Sequence, residues 1–172
     1  MEEIINKVAN SKLVTIDLED YYPKGERVLF DIKQWLFQGL ILKEKDFRES
    51  LEHYNWSLLK DSHVALTCSA DAIIPFWAYL LISTKAAAFA KTIVVGDLEL
   101  LETVLFQKII ANFNTENIKD KPVIIKGCAN KPIPATAYTQ LIQKILPFAN
   151  SIMYGEACST VPLYKKPKKQ DL

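Results

Sequence analysis

The spacing of hydrophobic residues predicts short strands at the start of the chain and a helix after them. Residues 13–18 (LVTIDL) and 27–32 (RVLFDI) have the composition of short strands, and a turn-forming Tyr-Pro-Lys-Gly sequence lies between them. We therefore expect an N-terminal β-hairpin or two separate β arms. Between Lys43 and Trp56 the apolar residues instead recur at i, i+4 and i+7, which indicates an amphipathic helix.

Helices and strands alternate in the rest of the chain. Residues 63–67 (HVALT) and 92–95 (TIVV) are apolar runs without polar alternation, as in strands that are buried on both faces. Residues 75–90 form an apolar segment that begins with Pro75, and proline is tolerated in the first turn of a helix. This order predicts an α/β fold with a mainly parallel sheet and helices on both faces.

The chain also repeats itself at an offset of 59 residues. Residues 40–98 and 99–157 are identical at 16 of 59 aligned positions, where about 4 are expected by chance. The shared residues include the pairs Pro75/Pro134, Tyr79/Tyr138 and Gly96/Gly155. We interpret the pattern as a tandem duplication of an α-β-α-β unit within a single domain; two ordinary α/β segments with similar apolar spacing are the alternative. Residues 1–39 are then an N-terminal β segment and residues 158–172 a C-terminal tail.

Each of the three cysteines, Cys68, Cys128 and Cys158, follows the end of a predicted strand. In open parallel sheets, ligands bind outside the carboxyl ends of the strands. If the predicted strands are parallel, we expect the three thiols along one edge of the sheet. Three thiolates suit zinc, iron or an iron–sulfur cluster. Polar residues that could support such a site are Asp71, Asp97, Asn130, Glu156 and Ser159.

The spacing of the cysteines leaves other roles open. There is no Cys-x-x-Cys pair, and the separations match no standard metal motif. A free cysteine is often a small buried apolar residue. A reactive thiol is a further alternative for Cys68 and Cys128, since each precedes a predicted helix whose dipole would stabilise a thiolate. Asp97 is expected to cap the helix that begins at Leu98, and His63 to cap or pack at the start of its strand.

Composition and charge narrow the functional classes. Of the 172 residues, 49% are hydrophobic, which is typical of a globular domain. The net charge of +1 is too small to create an electrostatic field that attracts nucleic acid. The acidic N-terminus and the short apolar runs predict neither a secretory signal nor a membrane helix, and the odd cysteine count fits reduced thiols in the cytoplasm. Walker, GxGxxG and GxSxG motifs are missing from the sequence. The three tryptophans are expected to pack, and the basic run 164–169 to be a solvated end.

Four long strings carry a family resemblance. They are VALTCSADAIIPFWAY (64–79), VANSKLVTIDLEDYYPKGERVLFDIKQWLFQGLILKEKDFRES (8–50), GDLELLETVLF (96–106) and SIMYGEACSTVPLYK (151–165). Together they make nearly the whole chain resemble the bacterial domain-of-unknown-function family 2480. The resemblance implies a setting rather than an activity, because such proteins are often encoded beside the sulfur-mobilisation machinery that builds iron–sulfur clusters.

These observations predict one function and leave two alternatives. We expect a cytoplasmic, non-enzymatic accessory protein that handles metal or sulfur in iron–sulfur cluster biogenesis, using Cys68, Cys128 and Cys158. Its cofactor would be iron, zinc or an iron–sulfur cluster, and its partners would be iron–sulfur assembly proteins rather than nucleic acid or a membrane. The alternatives are a non-catalytic scaffold or partner-binding module with structural cysteines, and a small thiol-dependent enzyme.

Overall fold

The computed structural model describes residues 13–127, 130–156 and 158–167. The chain divides into two compact units, of which unit 1 comprises residues 1–22 and 106–172 and unit 2 comprises residues 23–105. In the described residues the α-helices are α1 (Glu44–His53), α2 (Phe76–Ala86), α3 (Leu98–Ala111) and α4 (Ala135–Ile145). The strands there are β1 (Val14–Ile16), β2 (Arg27–Asp31), β3 (His63–Thr67), β4 (Thr92–Val95), β5 (Pro122–Ile125), β6 (Ser151–Glu156) and β7 (Ser159–Lys165). No helix among these is long and apolar enough to cross a membrane.

The strands form two sheets. Unit 1 contains a four-stranded sheet in the order β1-β5-β6-β7, and unit 2 contains a three-stranded sheet in the order β2-β3-β4. Neighbouring strands are parallel except for β6 and β7, which are antiparallel. The predicted α/β class with mainly parallel strands is confirmed. The expectation of one sheet is wrong, because β5 pairs with β1 rather than with β4 and so belongs to a separate sheet.

The two N-terminal strands do not form a hairpin with each other. Val14 of β1 lies opposite Val123 of β5, whereas Val28 of β2 lies opposite Val64 of β3. An isolated two-stranded hairpin is marginally stable in water, whereas each of these strands joins a sheet of three or four strands. The hairpin expectation is therefore wrong, and each strand extends a different sheet.

Several local features recur at the offset of 59 residues. The bounds of α2 and α4 differ by 59 positions at both ends. Asp61 and Asp120 both have a left-handed backbone, with φ of 59° and 54°, which aspartate tolerates better than most residues. The Asp61 N–H donates to the carbonyl of Phe89 at 3.0 Å, and the Asp120 N–H donates to that of Phe148 at 2.8 Å. The turns that lead into β3 and β5 therefore have the same conformation.

A cluster of aromatic rings lies in and around the largely aliphatic core of unit 2. The amphipathic pattern of α1 is confirmed, because Phe47 and Leu51 are buried. All three tryptophans pack against this core as predicted, and α2 begins directly after Pro75. The rings in contact belong to Phe30, Trp35, Phe47, Tyr54, Trp56 and Trp77.

The C-terminal segment of unit 1 is more ordered than the sequence predicted. Residues 159–165 form β7, so the expectation of a tail from residue 158 is wrong for this part of the chain. Tyr164 lies opposite Ile152 of β6 and packs against the unit 1 core, which gives the strand an apolar anchor despite its basic neighbours. Residues 168–172 lie outside the described part.

Candidate functional site at the carboxyl ends of the strands

The candidate residues are divided between the two sheets. Cys68 follows β3 of the three-stranded sheet, whereas Cys158 lies between β6 and β7 of the four-stranded sheet. The expectation that all three thiols lie on one edge of a single sheet is therefore wrong for Cys68. Cys128, in the loop after β5, lies outside the described residues. Of the supporting residues, Asp71 and Asp97 belong to unit 2, and Asn130, Glu156 and Ser159 to unit 1.

In unit 2, Asp31 at the end of β2 holds the loop that follows β3. Its carboxylate accepts hydrogen bonds from the Ser69 hydroxyl at 2.5 Å and from the Ser69 amide at 3.0 Å. The Lys33 amide donates to the same carboxylate at 2.9 Å. Partial burial opposes ionisation, but these hydrogen bonds outweigh it and hold the pKa of Asp31 below its usual range. Asp31 is thus an ionised clamp rather than a general base poised near neutral pH.

Cys68 has the surroundings of a packing residue. It is half-buried against the unit 2 core, and its thiol lies 3.8 Å from the carbonyl oxygen of Ala70. The first residue of α2 is Phe76, so Cys68 is not in the first helical turn and the predicted stabilisation by the helix dipole does not apply.

The two acidic candidates of unit 2 have different settings. Asp97 accepts a hydrogen bond from the Leu100 amide at 2.8 Å, which confirms its predicted role as a cap of α3. Asp71 is exposed in the loop that leads to α2. Among the described residues, neither carboxylate belongs to a group of three side chains that could hold a metal ion.

In unit 1, an ion pair lies where β1 and β5 end. Lys126 Nζ is 2.7 Å from Asp17 Oδ2. The hydrogen bond from Lys126 lowers the pKa of Asp17, and the same bond, aided by the charges of Asp17 and then Glu156, raises the pKa of Lys126. Glu156 at the end of β6 is thus close enough to act on this lysine. Three neighbouring parallel strands present charged groups at one sheet edge.

The loop that contains Cys128 is anchored on both sides. The Tyr154 hydroxyl of β6 donates to the Gly127 carbonyl at 3.2 Å. A Cβ at Gly127 would lie 2.9 Å from the ring of Tyr154, so a larger residue there would force this ring to shift. On the other side, the Glu19 carboxylate accepts hydrogen bonds from the backbone amides of Asn130 and Lys131.

The hairpin between β6 and β7 exposes Cys158. Glu156 lies opposite Ser159, and Cys158 is a free, exposed cysteine in the turn between these strands. Gly155 has a φ of +125°, and a Cβ there would lie 2.5 Å from the Ser159 carbonyl oxygen. Since cysteine is among the residue types most often buried, its exposure in a tightly built turn is informative.

The described residues contain no group of three His, Cys, Asp or Glu side chains that could hold a metal ion. His63 is 5% exposed, and its Nε2 lies 3.1 Å from the Lys24 carbonyl oxygen. It therefore packs at the amino end of β3, as predicted.

Sequence reasoning missed Asp17 and Asp31. Both follow a valine by three positions, in the segments VTIDL and VLFDI, and they lie 14 positions apart. Each caps a short 3₁₀-helix, formed by Leu18–Tyr21 and by Ile32–Trp35. The repeated Val-x-[Ile/Phe]-Asp pattern was the available signal.

Comparisons with known proteins identify a family but no activity. The family model described as "Protein of unknown function (DUF2480)" matches residues 2–166. No curated protein matches the chain. No solved structure matches it either.

Proposed function

The chain belongs to the DUF2480 family, whose function is unknown, and we propose that it is an accessory protein that handles iron, zinc or sulfide during iron–sulfur cluster assembly. Its site is at the carboxyl edge of the unit 1 sheet, with Cys128 and Cys158 as thiol ligands. The observation that carries this proposal is the exposure of Cys158 beside the end of β6.

The geometry of the sheet supports a site shared by two loops. β5 and β6 are adjacent and parallel, so the loops that leave them start at the same edge, about 4.8 Å apart. One loop contains Cys128 and the other contains Cys158, with Glu156 beside it. Thiolate sulfur and carboxylate oxygen are ligands of zinc and iron, and Asn130 and Ser159 are polar neighbours in the same loops.

The proposal assigns a structural role to Cys68. Its packing against the unit 2 core makes it a small apolar residue rather than a ligand. This assignment leaves two thiols for the site instead of the three that the sequence suggested, and it weakens the alternative of a thiol enzyme that uses Cys68.

Metal binding by single cysteine variants tests the proposal. The full chain, purified without oxygen, is titrated with Zn²⁺ in a calorimeter and with Co²⁺, whose thiolate complexes absorb light strongly. Cys128→Ser and Cys158→Ser should each weaken binding at least about 10-fold, the usual scale for the loss of a group that supports a metal site. The matched control Cys68→Ser should bind like the parent.

Two outcomes would refute the proposal. One is a parent protein that binds neither metal and whose Cys158 alkylates no faster than Cys68. The other is equal metal binding by all three variants, since it would place the metal elsewhere.

A partner-binding module is the second candidate, and α2 favours it. Its residues Phe76 and Leu80 are exposed, as is Ile73 just before it, at 94%. At the matching positions, 59 residues later, unit 1 has Pro132, Ala135 and Thr139. If this face binds an iron–sulfur assembly protein, Phe76→Lys with Leu80→Lys abolishes that binding, whereas serine at all three cysteines leaves it intact.

We propose that the chain arose by tandem duplication, which the recurrence at 59 residues supports. We also propose that helices cover both faces of the sheets. We also propose a cytoplasmic location, where the cysteines remain reduced.

A further inference from the structure

The strand β4 is the outer edge of the unit 2 sheet. It pairs with β3 and is the last strand of that sheet in the described part of the chain. Gly96 donates its backbone N–H to the Leu66 carbonyl at 2.8 Å. Because successive N–H groups point to opposite sides of a strand, those of Ile93 and Val95 point away from β3. Such an edge is a template for pairing with another strand.

Unit 1 contains a strand at the corresponding edge. β6 begins 59 positions after β4 and pairs with the antiparallel strand β7. Ile152 and Tyr154 of β6, which match Ile93 and Val95, lie opposite Tyr164 and Val161 of β7. The same type of edge therefore accepts an antiparallel strand in this protein, and the described residues of unit 2 supply none.

We propose that β4 pairs antiparallel with β4 of a second copy of this chain, about a twofold axis at Val94. In this register Ile93 lies opposite Val95 of the second copy, so both residues can exchange backbone hydrogen bonds. Lys91, whose Nζ lies 3.5 Å from Asp61 Oδ1 of its own chain, then also lies opposite Asp97 of the second copy. Twofold symmetry creates this pair of opposite charges twice. The edge is thus complementary in charge to itself.

Exposed apolar residues flank the strand on both sides. Phe89 precedes β4, and Leu98 and Leu100 follow it, each more than one-third exposed. An antiparallel pair places Phe89 of one copy near Leu98 and Leu100 of the other. A four-residue strand alone buries too little surface, since specific interfaces bury about 800 Å² per partner. These three side chains supply additional apolar area beside the strand.

Sedimentation of the full chain across a concentration series tests the interface. The parent chain should associate to a dimer. Val95→Lys should weaken dimerisation at least about 10-fold, because lysine on an edge strand opposes pairing. The matched control is Leu29→Lys, also at an exposed apolar position, on the other edge strand of the same sheet. It should leave the dimer unchanged, and tryptophan fluorescence should report a native unit 2 in both variants.

Charge reversal provides a second, independent test. Lys91→Glu puts a glutamate opposite Asp97 at each of the two symmetric places and should weaken the dimer about 5-fold, the scale expected for two exposed ion pairs. Adding Asp97→Asn, which keeps the side-chain oxygen that caps α3, should restore most of the affinity.

Three results would overturn the proposal. They are a parent chain that stays monomeric up to about millimolar concentration, a dimer insensitive to both Val95→Lys and Lys91→Glu, and a dimer disrupted by Leu29→Lys instead. Hydrogen exchange provides a further test. If β4 pairs between copies, the exchange rates of the Ile93 and Val95 amides must fall as the protein concentration rises, and unchanged rates would overturn the proposal.

Discussion

The Arg27–Glu102 ion pair in unit 2 allows a quantitative prediction. Arg27 Nε lies 2.6 Å from Glu102 Oε1, and Nη2 lies 3.2 Å from Oε2. The two side chains are 14% and 9% exposed. Arg27 Nη1 also donates to the carbonyls of Pro23 and Gly25, at 2.6 and 2.7 Å. Glu102→Gln therefore removes the negative charge from a guanidinium that is held in place and largely shielded from water.

The expected loss in the free energy of unfolding is about 3 kcal/mol. Breaking a buried ion pair by removing one partner costs roughly 3 to 5 kcal/mol. The lower end applies because Arg27 keeps two carbonyl acceptors and some contact with water. Replacing both partners, as Arg27→Met with Glu102→Leu, should recover most of this loss because no charge is then left buried.

Urea unfolding followed by tryptophan fluorescence measures this loss, since all three tryptophans lie in unit 2. The control is Glu44→Gln, which breaks the 2.9 Å pair with Arg48 on the surface of α1, where the side chains are 62% and 54% exposed. That variant should lose only about 0.3 to 0.5 kcal/mol.

The salt dependence separates the two variants further. In about 0.5 M NaCl the small effect of Glu44→Gln should vanish, whereas that of Glu102→Gln should persist, because buried pairs are screened much less. A loss below about 1 kcal/mol for Glu102→Gln, or one that salt abolishes, would refute the reasoning.

Two further predictions concern pH and the hairpin of the candidate site. Burial lowers the pKa of His63, so the folded chain binds fewer protons there than the unfolded chain, and stability should rise with pH up to about 6.5. Urea unfolding at several pH values measures this slope, which one histidine can raise to at most about 1.4 kcal/mol per pH unit. His63→Gln should remove it, and an unchanged slope would show that His63 is not its source. Gly155→Ala should cost more than about 2 kcal/mol in circular-dichroism melts, because its Cβ meets a carbonyl oxygen at 2.5 Å in addition to the strained φ of +125°. Gly39→Ala, with a φ of +72° and nothing within 4 Å, should cost only about 1 kcal/mol, and equal losses would contradict this account.

Local sequence signals predicted the helices and strands well. They did not predict which distant strands pair with each other. Pro75 indicated the start of α2, and the run HVALT indicated β3, because both signals act over a few neighbouring residues. The pairing of β1 with β5 joins segments more than 100 positions apart, as the Asp17–Lys126 hydrogen bond illustrates. No local pattern encodes such a partner, so the division into two sheets was missed.

The same division explains what was missed at the candidate site. Cys68 and Cys158 lie just after strands, as predicted, and Cys128 lies outside the described residues. The predicted grouping of the three thiols assumed a single sheet. Asp97 was recognised as a cap because capping is a local interaction. The sequence did not point to Lys126 because its role is to pair with Asp17. Only the assembled sheet brings the two side chains within 2.7 Å of each other.

The discontinuity of unit 1 also sets an order for folding during synthesis. All of unit 2 lies in one uninterrupted stretch, residues 23–105, whereas β1 finds its partner only when β5 has been made. Translation runs from the N-terminus to the C-terminus, so all of unit 2 is synthesised before β5, the partner of β1. Domains generally fold as units as they emerge from the ribosome. Among the described strands, β1 comes earliest in the chain but needs a partner that is made more than 100 residues later. We therefore expect the closing of the long loop between β1 and β5 to follow the folding of unit 2.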